Sequence, residues 1–213
     1  MSASESILEI LVAAIGRDLD GDVISIDADL YRQSLELIRA LEGDWRVILL
    51  GLPDRLPAEK LLYRPHLWFH LHTERLWDRE SRLYACDCAE RALGFYEMEQ
   101  RSGTQLADVL QVARRHAGGK PTRRLEQARD VAEVAARGIW GPFAQAQAAV
   151  WAAKAVARAA ADRADDAAWG AAELAARAAE TAAESARTRE VERRAQWTML
   201  VERLERVSSP NRR

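Results

Sequence analysis

Ile7, Leu8, Leu11, Val12 and Ile15 recur at intervals of three and four residues, and Ser4 stands where a cap belongs. The chain therefore opens on an amphipathic helix that stops near Gly16. "DLDGDVISID" follows as a polar turn and a short extended piece. Its "DxDGD" resembles the start of a calcium loop, but the twelfth position is Asp29 where that loop needs Glu, and a plain turn accounts for it. Asp27 or Asp29 caps a second helix to about Leu41, with Leu30, Ser34, Leu37, Ile38 and Leu41 facing inward. "WRVILLGLP" is the one strand-like run, and a lone strand has nothing to pair with, so a helix or irregular segment is expected there. Pro53 and Pro57 open a short connecting helix.

Pro65 starts the next helix, which the pattern carries unbroken through Arg91. A break near Gly103 precedes a helix to His116, and "AGGKPT" reads as a linker, with Gly118 and Gly119 stopping one helix and Pro121 starting another. The following helix turns Leu125, Ala128, Val131, Ala132 and Ala135 inward and stops at Gly138 before a "WGP" corner. From Phe143 onward alanine dominates. Alanine is the best helix former, and its small side chain lets helices approach closely, with Trp151, Trp169 and Trp197 as pegs between them. Asp162 to Asp166 either hold a turn or lie within one continuous helix. The pattern predicts an all-α multi-helix bundle of about eight helices, without the strand–helix alternation of an α/β enzyme. Residues 1–64 form an N-terminal helical module that can share the main core, 65–207 form the bundle, and 208–213 form a flexible tail.

Composition narrows the partners. Lys and Arg number 31 against 33 Asp and Glu, a formal charge of -2. That balance argues against a dedicated nucleic-acid binder, whose affinity rests on a basic field. Arg114, Arg115, Lys120, Arg123 and Arg124 nonetheless cluster around the linker, and a regulatory nucleic-acid-binding module is one alternative function. No apolar run is long enough to span a bilayer. The opening residues carry acid where a leader carries positive charge. Cys86 and Cys88 are too close in sequence for an unstrained disulfide. Free thiols fit a reducing compartment, so a cytoplasmic protein is expected.

The candidate chemistry sits in "RPHLWFHLHTERLWDRESRLYACDCAER", which holds three of the four histidines and both cysteines. Residues four apart stack on one helix face, so His66, His70 and Glu74 form a ladder able to ligate zinc or iron. A metal-dependent helical enzyme built on it is the second alternative. The aromatic and aliphatic residues point all around the helix, however, which is the pattern of a buried core helix, and buried cysteines are usually inert. Phosphate-binding loops, nucleophile elbows and kinase motifs are all missing.

"LYACDCAERALGFYE", "EQARDVAEVAARGI" (126–139) and the alanine-rich run 146–179 together resemble bacterial immunity proteins with an Imm-5-like alanine-rich helical domain, over roughly residues 75–200. The most specific element is Asp87-Cys88-Ala89-Glu90. The resemblance implies a helical, non-enzymatic binder of a protein partner and brings no catalytic residues. No cofactor is expected on that reading, and a homodimer is compatible with it.

Overall fold

A computed structural model describes residues 3–17, 24–40, 45–73, 75–99, 104–120, 124–141, 143–184 and 186–208. Among these the chain is all-α: eleven helices, one 3-10 turn at Leu52–Asp54 and one small hairpin. The helices are α1 (Ala3–Ala14), α2 (Ala28–Ala40), α3 (Trp45–Leu50), α4 (Ala58–Leu61), α5 (Pro65–His72), α6 (Trp77–Glu99), α7 (Thr104–Ala117), α8 (Leu125–Arg137), α9 (Ala144–Ala159), α10 (Ala164–Ala183) and α11 (Ala186–Ser208). No helix among the described residues is long and apolar enough to cross a membrane.

The centre of the molecule is the mutual packing of α6, α9 and α10. Their contact faces are built from small side chains. Ala85, Cys86, Cys88, Ala89 and Ala92 are buried on α6, Ala149, Ala152, Ala153 and Val156 on α9, and Ala168, Ala171, Ala172 and Ala175 on α10. Such small side chains let the helix surfaces approach closely and make dispersion contacts along them. α8 packs on α9 by the same means, through Ala128, Ala132 and Ala136. The chain leaves α9 at Ala159 and re-enters α10 at Ala164, so residues 160–163 form the turn between two helices.

The N-terminal helices join this core through larger residues. One hydrophobic cluster runs from Ile7 to Leu204. At its N-terminal side Tyr31 of α2, Trp68 of α5 and Trp197 of α11 stack edge to face, with ring centroids 5.4 Å and 4.9 Å apart. Both indole N–H groups are satisfied, Trp68 donating to Leu61 O at 2.8 Å and Trp197 to Leu49 O at 2.9 Å. Of the three expected pegs only Trp197 is fully buried; Trp151 is half-buried and Trp169 is exposed beside Tyr63.

The strand-like run 45–53 is α3 and the 3-10 turn, the helical outcome expected there, and the extended residues are Ile15–Arg17 and Ile24–Ile26, an antiparallel pair. Other expectations need correction. α2 buries Tyr31, Ser34, Leu35 and Ile38, which lie on one face, and this leaves Leu37 41% exposed, not inward. The helix predicted from Pro65 through Arg91 is two helices. Thr73 takes an extended conformation, and its amide and hydroxyl both donate to Phe69 O, at 2.8 Å and 3.1 Å. Such a side chain competes with the helical ladder and ends it. At the other end of the middle segment Gly119 has φ 77°, the left-handed geometry that closes α7 as the double glycine predicts.

α6 is central enough that its charged residues are buried too. Arg82 donates to the carbonyls of Ala161 and Asp162, at 2.8 Å and 2.5 Å, and to Asp78 at 3.0 Å, so a buried guanidinium holds the α9–α10 corner. Arg203 of α11 reaches Glu80 at 3.0 Å and also pairs with Asp87. Removing Arg203 leaves the buried Glu80 carboxylate with only the half-exposed Arg79, at 2.9 Å, and takes one of two arginines from Asp87. Arg203→Ala is expected to destabilise the fold by about 3 kcal/mol or more in urea unfolding. Glu80→Met with Arg203→Met is expected to cost less than the single change; an equal or greater loss for the pair would contradict the burial argument.

Candidate interaction site

The histidine segment is resolved into two environments. His66 and His70 share one face of α5, as the four-residue spacing predicts, with ring centroids 6.2 Å apart. Glu74, the third member of the ladder, lies outside the described residues. His70 stacks on Trp77 at 3.9 Å. Burial lowers the pKa of both imidazoles, with the Asp165 carboxylate opposing it. Among the described residues no group of three His, Cys, Asp or Glu side chains is placed to hold a metal. His72 points the other way. Its Nε2 lies 3.0 Å from the Tyr31 hydroxyl and its Nδ1 3.4 Å from the Ser208 hydroxyl, so it ties α5 to α2 and to the end of α11.

The cysteines lie on nearly opposite sides of the buried helix α6, about 200° apart. Cys86 and Cys88 are free and buried, and burial pushes the Cys86 thiol up to about 12 and the Cys88 thiol higher still. A thiol held protonated is a poor nucleophile and a poor metal ligand. The flanking carboxylates of the "DCAER" element have structural partners. Asp87 and Glu90 both accept from Arg114 of α7, at 3.3 Å and 2.6 Å, and Asp87 also takes Arg203. Arg91 forms a two-pronged pair with Glu192 of α11, at 2.8 Å and 2.7 Å. The element is thus a brace that fixes α7 and α11 to α6, with Asp87 shared between Arg114 and Arg203. This pairing also takes Arg114 out of the basic cluster around the linker; Arg123 lies outside the described residues.

The surface feature with no structural partner lies on α8 and the corner after it. Leu125, Ala128, Ala132 and Ala136 turn toward the core. Val131, expected inward, falls about 100° away from that stripe and is partly exposed, and Val134 is 63% exposed. Trp140 is 88% exposed and Phe143 71%. A groove of about 700 Å³ runs between α7 and α8 beside them, floored by Tyr96, Val109, Val112 and Ile139 and edged by Gln105, Asp108, Arg124, Gln127 and Asp130. Neither valine serves the core, and valine is a mediocre helix former on a solvated face. An apolar floor within a polar edge is the anatomy of a protein-binding face, and exposed Trp140 follows the groove residue Ile139 directly in the chain. The sequence carries its signal as a second apolar stripe on α8, Val131 and Val134, and as two aromatics flanking Gly141.

No family model, curated protein or solved structure matches this chain. The fold and site define a helical bundle with an ionic brace around α6 and an open apolar face.

The buried imidazole of His72 sets a pH dependence. Burial, with Arg39 nearby, lowers its pKa from 6.5 to about 4. In the unfolded chain the group takes up its proton near 6.5, so acid favours unfolding. Stability is expected to fall as pH drops below about 6.5 and to stop falling on this account near 4. Urea midpoints measured across that range check it. His72→Gln should be less stable at neutral pH but flatter in slope; an unchanged slope would locate the titration elsewhere.

Proposed function

We propose that the protein acts by binding another protein, as a non-enzymatic, immunity- or defence-associated interaction protein that neutralises or regulates its partner. The observation that carries this reading is the exposed apolar face of Val134, Trp140 and Phe143 beside the α7–α8 groove. Tryptophan and other aromatics anchor protein interfaces far more often than their abundance predicts. The buried, protonated cysteines and the structural use of Asp87, Glu90 and Arg91 support binding over catalysis. The link to immunity comes from the resemblance in residues 75–200, and a cytoplasmic setting from the free thiols.

The test compares wild type with Val134→Asp/Trp140→Ser as baits in an extract of the native host. Wild type is expected to retain one protein in near-stoichiometric amount. The double variant should lose it while melting within about 2 °C of wild type, because both positions are exposed. Co-expression then reads the role: wild type should relieve growth inhibition by the captured partner, and the variant should not. Equal capture by both baits would remove the α8 face from the account. Metal analysis of untagged protein separates the His66, His70 and Glu74 alternative. Binding without metal chemistry predicts less than about a tenth of an equivalent of zinc, iron or manganese, and a full equivalent would favour the enzyme.

A further inference from the structure

A second groove, of about 560 Å³, lies on the opposite flank of α8, where α8, α9 and α10 meet. Four cations line it, Arg129 and Arg137 from α8 and Lys154 and Arg158 from α9, against one carboxylate, Glu133. Its floor is apolar, formed by Val150, Leu174 and the alanines of α8 and α9. Both α8 arginines are matched, Arg137 with Glu133 and Arg129 with Asp162 at 3.4 Å, as are Arg163 with Asp165 and Arg177 with Glu173. Among the described residues Arg158 and Lys154 have no carboxylate partner. Lys154 instead sits over the Trp151 ring at 4.7 Å, with Arg177 also over that ring at 5.5 Å.

Arg158 is held in place by the backbone of α10. Its methylenes lie 3.1 Å from where a Cβ on Gly170 would stand. Glycine at this buried position, in a helix otherwise made of alanine, leaves the channel in which the arginine stem lies. The guanidinium is thereby presented to the groove without a neutralising partner. The cationic edge formed by Lys154 and Arg158 beside an apolar floor complements a helix with an apolar face and an acidic flank.

We propose that this groove binds an acidic amphipathic helix of the partner protein, its apolar residues on Val150 and Leu174 and its carboxylates on Lys154 and Arg158. The inference rests on the protein-binding function and names the chemistry of what is bound. A single-stranded nucleic acid would use the same cations but has no continuous apolar face to match the floor.

Fluorescence anisotropy with a dye-labelled peptide of about fourteen residues, Leu and Glu at helical spacing, tests it. A peptide with Lys in place of Glu and an oligothymidylate of similar length serve as further probes. Wild type is expected to bind the Glu peptide. Lys154→Ala/Arg158→Ala should weaken binding about tenfold, and Lys154→Glu/Arg158→Glu should abolish it, with unchanged circular dichroism. The Lys peptide should not bind. Val134→Asp should leave peptide affinity unchanged, so that failure of this groove and failure of the α7–α8 face are told apart. No binding of the Glu peptide, equal affinity in the alanine variant, or tighter binding of the oligothymidylate would each overturn the proposal.

Discussion

The close approach of α6, α9 and α10 over alanine and cysteine is the constraint on which the rest of the structure depends. Each buried alanine contributes little apolar area, so no single side chain dominates the core. The compensation is entropic and geometric: alanine loses no rotamer freedom on burial, and direct helix–helix contact extends over several turns. Such a core has no slack for larger residues. The chain therefore places its bulk elsewhere, in the aromatic stack of Tyr31, Trp68 and Trp197 that joins the N-terminal helices to α11. The charges that α6 carries on its remaining faces become the means of fixing its neighbours. Arg82 secures the α9–α10 corner, Asp87 and Glu90 secure α7, and Glu80, Asp87 and Arg91 secure α11.

The same constraint shapes the outer surface. α8 docks on α9 through Ala128, Ala132 and Ala136, a stripe narrow enough to leave Val131 and Val134 outside it. α8 thus separates two grooves of different character. The one shared with α7 has an apolar floor that includes Ile139; the one shared with α9 carries Lys154 and Arg158, and Gly170 leaves room for the stem of Arg158. Two chemically distinct surfaces on either side of one helix give a partner both an apolar anchor and an electrostatic register, the combination that yields affinity and specificity together.

Helix content and the small-residue core were legible in the sequence because alanine runs and three-to-four spacing are local signals. The double-glycine stop at Gly119 was legible for the same reason. What the sequence hid was tertiary. Periodicity carries straight through Thr73, and only the hydroxyl donating to Phe69 O shows why α5 ends there. Leu37 and Val131 look inward by composition, and which stripe is buried depends on neighbours that the sequence does not name. Of the site, the cluster of histidines and cysteines drew attention by residue type. The structure engages His72 with Tyr31, buries both thiols and stacks His70 on Trp77. The exposed valines and aromatics of α8 and its corner were visible as letters but not as surface.

Chemical denaturation of Ala171→Leu tests the central claim most directly, since Ala171 is fully buried on α10 within the three-helix contact. The account predicts that the added atoms find no space and that stability falls by about 2 kcal/mol or more, the effect of overpacking a close-fitted core. Unchanged or raised stability would mean that α6, α9 and α10 do not meet at alanine distance, and the arrangement built on that contact would have to be abandoned.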